Sequence, residues 1–393
     1  MKRNLIIMKQ HAQLQRSAYI HIPFCEHICF YCDFNKVFLE GQPVDEYVTR
    51  LLDEISLTLA KHPVSATPTI YIGGGTPTSL NEAQLDALLS GVVERFEMET
   101  VQEFTIEANP GDLTKGKLQV MKNYGIDRLS MGVQTFDDRL LKKIGRKHSA
   151  KDVYDTLKLL DQEAFHNISI DLIYALPGQT LEGFSDTLQQ ALAFDLPHYS
   201  LYSLILENKT MFMNWVRQGR LELPSQEVEV AMFEQTIDAM EKSGHHQYEI
   251  SNFAKPGFES KHNLVYWNNE EYFGFGAGAS GYVDQSRYRN FGPIQHYLNP
   301  LREQKLPIME TERVIRKNQI EEELFLGLRK KEGVDKAKFN QKFGCSLSDL
   351  YQPVIDAYVQ KGWLYETETT IALTKQGTFI GNDVFQGFLL EEE

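Results

Sequence analysis

Long apolar runs are missing from this 393-residue chain. Nothing in it approaches the roughly 18 residues that a membrane-spanning helix needs. The apolar stretch nearest the N-terminus, Leu5–Met8, is shorter than the ~7–15 residues of a signal peptide, and polar residues follow it. The expected setting is the cytosol, without a membrane span; a peripheral association with a membrane stays open. Positive charge is in deficit: 40 Lys and Arg stand against 54 Asp and Glu, for a net charge of −14. That removes the basic footprint of non-specific phosphate binding, so no nucleic-acid partner is expected. An anionic ligand must be met by a local positive pocket. Cysteine is scarce and unevenly placed, which excludes a disulfide framework. Cys25, Cys29 and Cys32 fall within eight residues, while Cys345 stands alone and reads as a small core residue. No sequence repeat of fixed period occurs, which excludes a solenoid. With 42% apolar and 24% charged residues, the composition is that of a globular protein and not of a disordered one.

What is present is an alternation. Strands are predicted at 18–24, 69–77, 103–110, 128–133, 167–177 and 198–205. Helices are predicted between them at 45–61, after Asn81, at 114–124, from Ser149 to about 163, and at 180–194. Asn81 with Gln84 has capping-box spacing, and Ser149 with Asp152 marks a second helix start. Most of the strands read as apolar throughout, as in parallel strands buried on both faces. Six strand–helix steps at roughly 30-residue intervals predict an α/β fold with a parallel sheet, either a barrel or a doubly wound sheet. A long helix is expected at 225–243 and an edge or final strand at 246–254. From about 305 the composition shifts. Three helices, a hairpin at 364–374 and a helical 375–390 predict a small winged-helix-like α+β module of about 85 residues. Its acidic runs, at 321–323 and 391–393, argue for a lid or docking domain and against a DNA reader. The expected division is an N-terminal extension at 1–17, a large domain at 18–304 and a C-terminal domain at 305–393.

The strongest chemical signal is Cys25-x3-Cys29-x2-Cys32, directly after the first predicted strand. Thiolates bind zinc or iron–sulfur clusters. A closed zinc site wants four ligands, and His27 or His21 would have to complete it. A cubane cluster held by three thiolates leaves one iron open to another ligand. The neighbouring Phe24, Phe30, Tyr31 and Phe34 are expected to exclude water. Gly73-Gly74-Gly75-Thr76-Pro77 follows a strand, and such a turn lets the backbone approach a ligand closely. Glu107 and Gln134 end strands and Asp171 lies within one. Strand C-terminal ends are where parallel α/β folds place their sites. Arg146 has the chemistry to clamp a carboxylate. Gly276-x-Gly278-x-x-Gly281 matches a dinucleotide fingerprint by letter, but no helix pattern opens after it, so a sharp bend is expected.

Taken together, these residues resemble the radical S-adenosylmethionine (SAM) superfamily, whose hallmark loop is here CEHICFYC. YIHIPFC, YIGGGTPT, IEANP, LSMGVQTF, IGRKH, SIDLIYALPGQT and HNLVYW follow, in order and spacing, the oxygen-independent coproporphyrinogen III oxidase family and its HemW branch. The resemblance covers about residues 18–380. It implies a partial (β/α)6 barrel holding a [4Fe–4S] cluster on Cys25, Cys29 and Cys32, with SAM on the open iron. By the same resemblance Tyr19 and Tyr31 flank the cofactor, and Gly74, Gly75 and Thr76 contact its methionine part. Glu107, Gln134, Arg146 and Asp171 match further SAM positions, and Ile205 lines the adenine.

Two departures from the oxidase motif point to the HemW branch. Asp33 and Phe34 follow Cys32 where the oxidase has Gly-Cys, and only 18 residues precede Tyr19. That branch is described as a haem chaperone, so haem and acceptor haemoproteins are the implied partners. The HNxxYW signature, His262–Trp267, is its proposed haem-binding element, with His262 the candidate iron ligand. The competing expectations are a radical-SAM porphyrinogen decarboxylase and a zinc-stabilised binding module.

Overall fold

The computed structural model describes residues 14–390; the Leu5–Met8 stretch and the acidic run at 391–393 lie outside them. Six strands lie side by side in chain order and run parallel: β1 (Ser17–Ile22), β2 (Thr69–Gly74), β3 (Glu103–Ala108), β4 (Arg128–Gln134), β5 (Ile168–Tyr174) and β6 (His198–Ser203). The helices Val44–Lys61, Glu82–Val93, Lys115–Asn123, Ala150–Gln162 and Leu181–Leu192 form the crossovers. Both expected capping boxes are present, Asn81 with Gln84 and Ser149 with Asp152. Strands adjacent in chain order mean that every crossover turns the same way, as in a barrel.

The barrel does not close. Beyond β6 lies the antiparallel β7 (Asn252–Ala254). Beyond β1 lies β8 (Tyr272–Phe275), parallel to it. The antiparallel β9 (Ser280–Val283), β10 (Ser286–Asn290) and β11 (Ile308–Arg313) continue from there. The fold is therefore the partial barrel that the strand–helix alternation and the family resemblance imply, widened at both edges. The glycine triplet at 276–281 forms the bend between β8 and β9, with Gly276 and Gly278 at φ of 100° and 75°. No helix follows it.

The apolar-throughout reading of the strands needs correction. Outward residues are apolar and join the core: Ile20, Ile70, Ile106, Leu129, Ile170 and Leu201 are all at most 1% exposed. Inward residues are mostly polar, with Ile173 an apolar exception. On β4 they are Arg128, Ser130 and Gln134, with Gly132 between, and all four line one cavity. Their faces alternate with period two, as a strand requires. The inside of this sheet is thus a polar cup and not a packed apolar core.

The C-terminal helices Arg316–Gly327, Lys336–Phe343 and Leu347–Gln360 enclose a second core with a three-stranded sheet, Val334–Asp335, Leu364–Glu366 and Thr370–Leu373. The helix expected over 375–390 is broken at Ile380 into Lys375–Phe379 and Gly381–Gln386. The composition shift at 305 precedes β11, which pairs with β10 of the main sheet; the second core begins at Ile320. Cys345 packs against that second core. Among the described residues no helix is long and apolar enough to cross a membrane.

Candidate functional site

The cup holds a cavity of about 520 Å³. Twelve of the fourteen sequence-predicted site residues reach its wall, and Tyr19 and His262 do not. The thiols stand at its mouth. Phe24–Cys25 pairs with Val37–Phe38, and the Cys32 amide donates to the Cys29 carbonyl at 3.3 Å, which together fix the loop between them. Thr76 Oγ1 donates to Cys25 Sγ at 3.7 Å and Arg146 Nη1 donates to Cys29 Sγ at 3.6 Å. Burial pushes the Cys25 thiol up to about 11 and raises Cys32 as well. Binding a metal here therefore releases protons. Among the described residues no three His, Cys, Asp or Glu side chains close around a single ion. The three thiols line one side of a wide cavity instead, with a guanidinium beside them, and that suits a group several atoms across. Phe24, Phe30 and Tyr31 pack inward around the loop, against Tyr47, Trp215 and Phe212 respectively. Phe34 departs from expectation: it is 63% exposed and sits at the rim.

The glycine turn is stitched to this loop. The Gly75 amide donates to the Ile22 carbonyl and the Thr76 amide to the Phe24 carbonyl, both at 2.8 Å. Gly74 has φ of 115°, and a Cβ there would stand 2.4 Å from His21. Only glycine meets both demands. Glu107 accepts from Tyr71 Oη at 2.8 Å and from the Gly74 amide at 2.9 Å, and burial pushes its carboxyl up to about 7. Arg146 Nη2 donates to Asn109 Oδ1 at 2.7 Å and to the Gly132 carbonyl. Gln134 ends β4 at φ of 68° beside a bulge in the pairing with β5, which turns it into the cup. Asp171 accepts from Ser130 Oγ, 3.3 Å from each carboxylate oxygen, and burial raises its carboxyl. Ile205 lies at the rim, 68% exposed.

The two remaining residues occupy a deeper layer. Tyr19 Oη bonds His21 Nδ1 at 3.0 Å, and its ring stacks on Tyr71 with centroids 6.2 Å apart. Tyr71 faces the cavity in its place. His262 belongs to the helix Lys261–Trp267 and is 1% exposed. Its Nδ1 bonds Thr69 Oγ1 at 2.7 Å and its Nε2 bonds Tyr266 Oη at 2.9 Å. Both nitrogens are engaged, so in this arrangement neither is free for a metal. Glu103 accepts from the Lys261 amide at 2.8 Å and the His262 amide at 3.0 Å, pinning this helix beneath the cup. Asn263 of the same helix reaches the cavity wall. Arg128, Ser130, Tyr71 and Tyr202 line the cavity without having been anticipated. For Arg128 and Ser130 the signal is the every-second-residue polarity of Arg-x-Ser-x-Gly-x-Gln in β4.

Residues 19–191 match the radical SAM superfamily model, and 315–380 match the HemN C-terminal domain. A Bacillus subtilis protein named heme chaperone HemW is 51% identical over 96% of this chain and 100% of its own length. The chain belongs to the HemW family of radical SAM proteins. The Escherichia coli HemW protein is 33% identical over 95% of this chain and 98% of its own. The solved structure of E. coli coproporphyrinogen III oxidase, a radical SAM enzyme, superposes with a TM-score of 0.82. That match is 23% identical and covers 98% of this chain and 93% of the other, so it speaks for the fold alone. Membership of this family implies an iron–sulfur cluster and SAM, and the thiol-lined mouth of the cup fits them.

Proposed function

We propose that this protein is a cytosolic haem chaperone that binds haem and passes it to acceptor haemoproteins. The observation that carries the reading is the end-to-end likeness to proteins named heme chaperones, at 51% identity in one case. We assign Cys25, Cys29 and Cys32 to a [4Fe–4S] cluster, which when bound supplies one iron with an open coordination position. Arg146 lies beside the Cys29 sulfur and is suited to meet a carboxylate brought to that iron. Glu107, held by Tyr71 and the Gly74 amide, faces the same space and would be suited to meet the amino group of SAM. Gly75, Thr76, Gln134, Asp171, Tyr31 and Ile205 complete that wall. Tyr19 acts through Tyr71 and not by direct contact. His262 is a positioning residue whose two hydrogen bonds hold the helix under the cup. The site belongs to the unit starting at 18, and the C-terminal unit serves docking. It sits against the underside, where Arg329 stacks over Trp267 at 4.5 Å.

The test is a parallel assay of reconstituted protein for haem binding and for coproporphyrinogen turnover. Haem binding without porphyrinogen oxidation supports the chaperone. SAM-dependent decarboxylation replaces it with the enzyme.

A further inference from the structure

Arg128 is the first residue of β4 and Gln134 the last. Six residues at a strand's rise separate them by ~20 Å, so Arg128 marks the deep end of the cup. It is 2% exposed and lines the cavity. Among the described residues its guanidinium makes no ion pair and no side-chain hydrogen bond, and Nε is buried without a partner. A buried cation in that state is costly unless something else neutralises it.

The acids nearest the deep end form their hydrogen bonds with other groups. Glu103 accepts from the Lys261 and His262 amides. Glu107 accepts from Tyr71 and Gly74. Asp171 accepts from Ser130 and feels the Arg128 charge, but it forms no ion pair or hydrogen bond with that guanidinium. The nearby imidazoles of His262 and His198 are both held neutral, by burial first and by the Arg128 charge second. The deep end of the cup therefore offers one unpartnered positive fork, in a protein whose surface is net acidic. A planar guanidinium matches a carboxylate through two parallel hydrogen bonds.

We propose that Arg128 anchors a carboxylate arm of the cargo at the deep end of the cavity, some 20 Å along β4 from the Gln134 end. This rests on the haem-carrier reading, under which the arm is a haem propionate.

The test compares haem with its propionate dimethyl ester, titrated into the reconstituted wild type, Arg128→Gln and Arg128→Lys. Wild type is expected to favour the free acid by about tenfold or more. Arg128→Gln loses that preference by weakening the free acid alone, and Arg128→Lys keeps part of it. A thermal melt of the ligand-free proteins separates anchoring from architecture. Removing an unpartnered buried charge should leave the Arg128→Gln midpoint equal to or above that of wild type. A lowered midpoint, or a preference that survives in Arg128→Gln, overturns the proposal. Wild type that binds both porphyrins equally removes the anchor and leaves the haem carrier standing. Wild type that binds neither removes both.

Discussion

Replacing His262 with Ala separates a structural imidazole from an iron ligand. The substitution leaves Thr69 Oγ1 and Tyr266 Oη without the partners now 2.7 and 2.9 Å away. Each stranded buried hydroxyl costs about 1–3 kcal/mol. The lost stacking on Tyr71, whose ring centroid lies 5.1 Å off, adds a cavity. The expected destabilisation is about 3–5 kcal/mol, read as a lowered urea midpoint at unchanged slope. The pH dependence carries the same signature. Burial lowers the imidazole from 6.5 to about 3, so the folded form holds it neutral. That contribution is complete above pH 6.5 and is lost as pH falls toward 3. It amounts to about 5 kcal/mol over the window, and His262→Ala should remove that much of the change in stability between pH 6.5 and 3. Haem bound by the folded fraction of the variant should keep the wild-type iron spectrum. Unchanged stability together with a shifted haem spectrum would show that the imidazole binds iron and that its hydrogen bonds to Thr69 and Tyr266 are not decisive.

Cys25→Ser, Cys29→Ser and Cys32→Ser should each strip iron and sulfide from the reconstituted protein, whereas Cys345→Ser should not; iron analysis decides, and a cluster lost only in Cys345→Ser refutes the assignment. Arg146→Ala should weaken SAM binding about ten- to hundredfold in calorimetry, the worth of one charge-assisted contact. Equal affinity in wild type and variant removes Arg146 from the pocket. Glu54 accepts from the Gly276 amide at 2.8 Å and from Asn290 and Tyr297 at 2.6 Å, and burial pushes its carboxyl from 4.5 up to about 7. The stability given by its neutral form is full below pH 4.5 and is lost as pH rises to 7. Relative to Glu54→Gln, wild type should lose about 3 kcal/mol across that interval. A difference independent of pH would show that Glu54 does not titrate there.

The crossover helices were legible because their caps are local: Asn81 and Ser149 announce their helix starts within four residues. The cysteine loop and the glycine turn were legible because their chemistry is compressed into a few positions. The edge strands β8 to β11 were not, since each is short and takes its place from a partner far along the chain, as Tyr272 does opposite Ser17. That Tyr19 and His262 lie behind the cavity wall is hidden from the sequence for a related reason. A motif gives the order of residues, but which ring faces the cavity depends on what packs in front of it, and Tyr71 stands before both. Arg128 passed unremarked because a single arginine opening a strand looks like any solvated residue until the burial of its side chain is known.

The helix that Glu103 pins beneath the cup closes it from below, while Phe34 and Ile205 leave its rim open to solvent. One cavity of about 520 Å³ carries both the thiols and Arg128, so whatever fills one end limits the room left at the other. Haem and SAM should therefore each bind differently when the other is present.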